Sequence, residues 1–385
     1  MVRNMKSICF ITTIPTTLRA FVLQFAKYMH ENCDCKITFI SSPNEEFQNC
    51  LPEYIRFIPV KMERGISLGG FKSFLILYKI FKKEKFDLVQ YSTPNAACYA
   101  SIAAFLTRIP TRLYCQWGIA YVGLDGFKRK IFKTIERLVC FCSTKVEPDS
   151  KSNLLFSIKE KLYKASKGEV IWNGSASGVN LEKFDFSKKN EYRREIRCKL
   201  KIPDNAFVYG FVGRINRDKG INELFTAMRS VMAYNESAYL ILVGNSELGK
   251  GVDESLYAWA RNEERVIFCG YTNVAEQYVA SMDCYVLPSY REGFGLAVVE
   301  AEAMGVPVVV TNIPGPIDAM ENGKSGLVVE KKDSAGLENA LLVMLAQQNL
   351  RDEFGKFGVE LAREKFEQTK LFEKILADRK NLLKI

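Results

Sequence analysis

Short apolar runs alternate with longer stretches of helical spacing along almost the whole chain. In the first half the runs cover residues 8–13, 36–41, 55–60, 88–91, 112–115 and 170–172. They resume at 206–213, 239–243, 266–269, 284–287 and 305–310. Runs that are apolar throughout predict strands buried on both faces, and helices between successive strands predict parallel pairing. The pattern thus predicts an α/β protein with two Rossmann-like, doubly wound sheets, related by architecture without an evident sequence repeat. The turn-rich segment Asn173-Gly174-Ser175-Ala176-Ser177-Gly178-Val179-Asn180 is the best linker between them. From Leu337 onward the spacing is helical to the end.

Two strand ends in the second half carry candidate chemistry. The run ending at Gly213 is followed by Arg214-Ile215-Asn216-Arg217-Asp218-Lys219-Gly220 and then by a helical stretch. Open parallel sheets bind ligands at the carboxyl ends of their strands. A guanidinium and an ammonium there can neutralise a diphosphate that gains charge as it departs.

The run 284–287 leads into Pro288-Ser289-Tyr290-Arg291-Glu292-Gly293-Phe294-Gly295-Leu296 and on to Glu300. Gly293, Phe294 and Gly295 fall at a helix start, where free amides and the helix dipole favour a bound phosphate. Glu300 lies one to two turns into that helix, roughly 8 Å along its axis at about 1.5 Å per residue. A carboxylate at each end suits a long polyhydroxylated phosphate ester. Taken singly, each of these residues also fits an ordinary role: Glu300 a solvated helix residue, Arg214 and Lys219 loop charges, Gly293 and Gly295 relief of turn strain.

Together, Gly213-Arg214, Lys219-Gly220, Glu292 and Glu300 resemble the donor half of family 4 glycosyltransferases, over roughly residues 205 to 365. The resemblance implies two such domains facing a cleft, the GT-B architecture. The amino-terminal domain, 1–172, would bind the acceptor and be joined by a last helix at about 366–385, and 173–365 would bind the nucleotide sugar. It implies that Arg214 and Lys219 bind the nucleotide diphosphate, that Glu292 and the backbone through Gly293, Phe294, Gly295 and Leu296 contact the donor sugar, and that Glu300 binds ribose hydroxyls. Arg214, Lys219 and Glu292 are the expected catalytic residues, and Gly213 joins the expected donor-binding residues.

In the amino-terminal half, Thr12-Thr13-Ile14-Pro15-Thr16-Thr17 follows the first strand, and a threonine there can cap the next helix. In the two-lobed architecture this loop faces the cleft, so Thr13 and Thr16 are acceptor-site candidates. Many family members carry a Gly-Gly loop at this place. The threonine-rich opening is similar to that of members that extend sugars on a polyprenyl diphosphate. Trp117, Gly118 and Tyr121 follow another strand end and are further acceptor candidates, with core packing the competing role for Trp117 and Tyr121. Many members place a histidine near here. The chain's only histidine is His30, so either Gln116 or Trp117 takes over the sugar contact or the sugar is held differently.

Charge changes the picture of the first half. The net charge of +10 comes wholly from it: residues 1–170 hold 26 lysines and arginines against 14 acids, the remainder 28 against 30. Much of the excess lies in 71–85 and 127–133, where lysines mix with large apolar side chains. That composition fits a helix lying on an anionic bilayer, or an amphipathic helix packed on a sheet with its lysines outward. The most apolar stretch, 96–106, is shorter than the roughly 20 residues of a membrane span. The apolar core 8–11 after Arg3 and Lys6 is short for a secretory signal. Eleven cysteines scattered through the elements read as reduced thiols, and Cys33-x-Cys35 and Cys140-x-Cys142 lack the histidines of a standard zinc set. A cytoplasmic enzyme, peripheral at the inner face of the inner membrane, is expected.

No Asp-x-Asp motif is present, Glu147-Pro148-Asp149 being a poor substitute, so metal-bridged diphosphate binding is not indicated. No cofactor and no nucleic-acid partner are expected. No Gly-x-Gly-x-x-Gly follows either sheet's first strand, which argues against a dehydrogenase. The expected activity is retaining transfer of a hexose or N-acetylhexosamine from a nucleoside diphosphate, UDP first, to a lipid-linked saccharide in surface polysaccharide or glycan synthesis. The alternatives are a nucleotide-sugar epimerase on the same fold and a non-catalytic partner subunit that binds nucleotide sugar.

Overall fold

A computed structural model describes residues 5–62, 68–124, 126–249 and 251–385, without the side chain of Leu68; Arg3 of the amino-terminal basic pair lies outside them. The chain divides into two compact units, one of Met1–Ser177 with Thr369–Ile385 and one of Gly178–Gln368.

The first unit is built on six parallel strands: β1 (Lys6–Ile11), β2 (Cys35–Ser41), β3 (Ile55–Pro59), β4 (Leu88–Tyr91), β5 (Thr111–Gln116) and β6 (Lys145–Pro148), in the order β3-β2-β1-β4-β5-β6. Central β1 shows why the runs lack polar alternation. Ile8 pairs with Ile37 on one side and Leu88 on the other, Ile8 and Phe10 enter one apolar cluster, and Cys9 and Ile11 enter the opposite one. Both faces are covered from Ile8 to Ile11, so each of these positions is apolar. The helix Gln368–Leu383 completes one face with Leu371, Phe372, Ile375, Leu376 and Leu383.

That helix is fixed by charge as well. Arg379 is 1% exposed; its Nη1 and Nη2 donate to Glu147 at 2.6 and 2.9 Å, and its Nε donates to Gln90 at 3.1 Å. Glu147, read from sequence only as a poor metal ligand, is thus the buried partner of this arginine.

The expected strand at 170–172 is absent: Ile171 and Trp172 pack on the core, but Trp172 adopts φ 53°, which ends extended structure. The strand that completes the sheet is β6, a short edge strand whose Val146 is flanked by Lys145 and Glu147.

The second unit repeats the layout with β7 (Phe207–Val212), β8 (Ala238–Val243), β9 (Val266–Gly270), β10 (Cys284–Leu287), β11 (Val308–Thr311) and β12 (Gly326–Val329), in the order β12-β11-β10-β7-β8-β9. Counted from its own first strand, each sheet has the doubly wound order 3-2-1-4-5-6, which reverses between strands 1 and 4. The unit's two ends lie side by side: the Val179 amide donates to the Phe366 carbonyl at 2.8 Å and the Gln368 amide to the Val179 carbonyl at 2.9 Å. Among the described residues no helix is long and apolar enough to cross a membrane.

Candidate active site

In the second unit the order reverses between β7 and β10, and the loops leaving these two strands carry the expected residues. After β7, the Gly213 amide donates to the Val243 carbonyl at 2.8 Å. Arg214 then points outward and pairs with Glu247 at 2.9 Å, both side chains about half exposed. Asn216 accepts from the Lys219 amide at 3.3 Å and caps a single 3-10 turn, Arg217–Lys219. Gly220 ends that turn at φ 68°, ψ 30°, and a Cβ there would lie 1.9 Å from the Pro288 carbonyl oxygen. Only glycine lets the β7 loop touch the β10 loop this closely.

The second loop meets the first through three further links. The Tyr290 amide donates to the Asp218 carbonyl at 2.8 Å, Arg291 pairs with Asp218 at 2.8 Å, and Tyr290 donates its hydroxyl to Glu223 at 2.6 Å. At the centre the Lys219 ammonium lies 2.5 Å from the Glu292 carboxylate, with side chains only 20% and 14% exposed. The sequence singled out Lys219 and Glu292 but not Asp218, Arg291, Tyr290 or Glu223. Opposite charges at matching places in the two loops were the available signal.

Gly295, at φ 91° and ψ 48°, is the cap of the helix Leu296–Ala303, and no side chain caps that end. The Val298 amide donates to the Gly295 carbonyl at 2.8 Å, and the start of the helix has no side-chain cap. Phe294 is buried and packs edge-on against Phe366, ring centroids 5.2 Å apart, so its side chain anchors the turn.

Glu300 is the fifth residue of that helix, half-buried, and its carboxyl is pushed up to about 7 by burial; Lys183 opposes the shift and Glu276 adds to it. Tyr285 reports that the two carboxylates converge. Its buried phenol is raised by burial and then by Glu292 and Glu300, while its hydroxyl donates to the Val212 carbonyl at 3.4 Å. The Tyr285 hydroxyl thus ties β10 to the end of β7, beside the Lys219–Glu292 pair. Among the described residues no group of three or more His, Cys, Asp or Glu side chains is disposed to hold a metal ion.

The first unit reverses its order between β1 and β4, and here the expectations fare unevenly. Thr13 is buried: its Oγ1 lies 2.8 Å from Oγ1 of Thr93, and its amide donates to the same Thr93 oxygen at 3.0 Å. Thr16 is exposed. No threonine caps the helix Pro15–Phe21; Ile14 occupies the cap, and the Thr12 hydroxyl donates to the Ile14 carbonyl at 2.8 Å instead. Pro15 opens the helix without an amide to satisfy, and the Thr17 amide donates to the Ile14 carbonyl at 3.2 Å.

Thr93 was missed. It holds φ 66°, ψ 139° directly before the helix Pro94–Leu106, a conformation costly for a β-branched residue and maintained by its contacts with Thr13. Trp117 is partly exposed and packs on Phe21 at 5.4 Å, next to Gly118 at φ 89°.

Tyr121 and Gln116 leave the candidate set. The Tyr121 ring is wholly buried, with Arg129 over its face at 5.0 Å and its hydroxyl donating to Glu160. Gln116 is also wholly buried and donates to Glu136 at 2.6 Å, a carboxyl raised by burial against the bonds from Gln116 and Tyr114.

Residues 192–360 match the family described as "Glycosyl transferases group 1", and residues 7–148 the one described as "Glycosyl transferase 4-like". The chain is 32% identical over 374 residues, 97% of its length and 96% of the relative's, to the capsular polysaccharide biosynthesis glycosyltransferase CapM of Staphylococcus aureus. It is 28% identical over 334 residues, 84% of it and 83% of the relative, to the UDP-Gal:alpha-D-GlcNAc-diphosphoundecaprenol alpha-1,3-galactosyltransferase of Escherichia coli. In fold it is similar to the crystal structure of Anabaena HepE in complex with UDP and glucose, with a TM-score of 0.79, 20% identity, and 98% and 99% of the two chains covered.

Proposed function

The chain belongs to the group 1, family 4-like glycosyl transferases, and on that footing we propose that it moves a hexose or N-acetylhexosamine from a UDP-sugar to a saccharide carried on a lipid diphosphate, with retention of anomeric configuration. The observation that carries this reading is the meeting of Lys219 and Glu292 at the crossover of the second sheet, beside an uncapped helix start and within reach of Glu300.

In the proposed complex the donor diphosphate lies against Lys219 and Arg214 and the amides at Gly295 and Leu296. The ribose hydroxyls donate to Glu300, and the sugar lies by Glu292 and the Gly293–Gly295 backbone. Freeing Arg214 costs little, because an exposed pair such as Arg214–Glu247 contributes only about 0–1 kcal/mol. Lys219 and Arg214 take up the charge that grows on the departing diphosphate, in a half-buried site where such stabilisation is strong. A front-face route in which that diphosphate helps deprotonate the acceptor hydroxyl fits a site with no second carboxylate assigned as nucleophile. The two cationic side chains also make the transfer independent of a divalent ion. The lipid-linked acceptor draws its support from the named substrate of the Escherichia coli relative. Thr13, Thr16, Trp117 and Gly118 are proposed on the acceptor side, in the unit 1–177, and the donor side is assigned to 178–368.

The deciding experiment screens UDP- and GDP-sugars for nucleotide release, with and without a polyprenyl diphosphate saccharide, in EDTA. Acceptor-dependent UDP release with formation of an extended saccharide is expected. Conversion of donor without acceptor would favour an epimerase, and activity restored only by a divalent ion would refute metal independence.

A further inference from the structure

In the first unit an apolar cavity of about 450 Å³ lies among the helices Leu68–Glu84, Pro94–Leu106 and Gly126–Cys142. Phe71, Phe74, Pro94, Cys98, Ile102 and Phe132 line it. Its size is within the range of about 300–1,000 Å³ usual for small-molecule sites. Its place is specific. Pro94 directly follows Thr93, whose Oγ1 is 2.8 Å from that of Thr13, so the cavity begins at the β1/β4 crossover proposed for the acceptor.

Its surroundings show an unusual mixture. Phe71 is 63% exposed, and Lys72, Leu75, Ile76, Lys79, Lys82 and Lys83 of the same helix are exposed with it. That helix's Glu84 is already paired with Arg56. Across the cavity, Phe127 is 77% exposed between Gly126 and the exposed Lys128, with Lys130 beyond. Glu136 of this helix is buried in the sheet-facing core. Large apolar side chains left in water, interleaved with lysines, match an occupant that is hydrocarbon on one side and anionic on the other.

Resting on the acceptor class proposed above, we propose that this cavity receives the hydrocarbon segment of the lipid-diphosphate acceptor next to its diphosphate, with Lys72 and Lys128, near the starts of the two flanking helices, facing the anionic group. The sugar to be extended then lies at the crossover and the chain runs away from it between the helices. The cavity makes the enzyme select for the lipid as well as for the saccharide.

The test uses two acceptors with the same diphosphate saccharide, one on a polyprenyl chain and one on a short alkyl chain, in neutral detergent. For the unmodified protein kcat/KM for the long chain exceeds that for the short one by about tenfold or more, the effect of burying roughly two methylenes. Ile102→Trp fills the cavity, and Phe71→Ser strips its exposed rim at a position where folding is little affected. Each brings the ratio towards one. Equal use of both acceptors by the unmodified protein, or a ratio unmoved in both variants, overturns the proposal and leaves the proposed function standing; use of neither acceptor overturns both. A photoreactive polyprenyl diphosphate saccharide labels the segments bearing Cys98 or Phe132. Competition by anionic phospholipid alone, equal to that by acceptor, would assign the cavity to the bilayer and overturn the proposal.

Discussion

The Lys219 ammonium sits 2.5 Å from the Glu292 carboxylate, and this ion pair ties the loop leaving β7 to the loop leaving β10. Both groups are mostly withdrawn from water, so removing one strands the other as an uncompensated charge. The pair also sets the distance between the cation proposed for the diphosphate and the carboxylate proposed for the sugar.

Lys219→Ala and Glu292→Gln each lower kcat/KM for the nucleotide sugar by about 10²-fold or more, the scale of a lost charge-stabilising donor. The double variant loses less than the product of the two single losses, because both act through one pair. Glu247→Ala stays within about threefold, since its exposed pair with Arg214 contributes only about 0–1 kcal/mol. Steady-state kinetics on the four proteins checks the set, and additive losses would contradict a shared site.

The carboxyl of Glu300, pushed up to about 7, gives a pH dependence of definite sign. A carboxyl raised in the folded state favours folding fully below its ordinary range, and that contribution fades as pH rises through about 7. UDP binding runs the other way, because only the ionised carboxylate accepts from two ribose hydroxyls. Affinity for UDP rises from pH 6 to pH 8, and Glu300→Gln flattens both trends. Calorimetric titration and thermal unfolding across this window provide the check.

Arg379 and Glu147 form a deeply buried ion pair in the first unit. Arg379→Met destabilises the protein by about 3–5 kcal/mol, because Glu147 is left charged and buried. Adding Glu147→Leu recovers much of the loss. Urea unfolding distinguishes this from a simple packing defect, which the second substitution would deepen.

How much could be read from sequence followed from where each element gets its burial. Central strands such as β1 and β7 are apolar on both faces and announce themselves. Edge strand β6 does not: Val146 stands between two charges, and Glu147 is acceptable inside only because Arg379 arrives from the last helix. The apolar 170–172 run misled because it packs on the core without pairing as a strand. The residues proposed for the donor side stand out because glycine punctuation, basic residues and acids recur at fixed offsets after two strands. On the acceptor side Gln116 and Tyr121 look identical to surface-facing residues in one dimension, and only the buried partners Glu136 and Glu160 reveal their direction. Thr93 was invisible for the same reason, its strained backbone being held by a threonine eighty positions earlier.

The side-by-side ends of the segment Gly178–Gln368 have a consequence for synthesis. During translation that stretch emerges without interruption and can close its core at once, while the preceding unit must wait, with one face of its sheet covered only in part by its first helices, for the last helix to leave the ribosome. The part of the polypeptide made first is therefore the part finished last, and its lysine-rich surface keeps the waiting chain in solution.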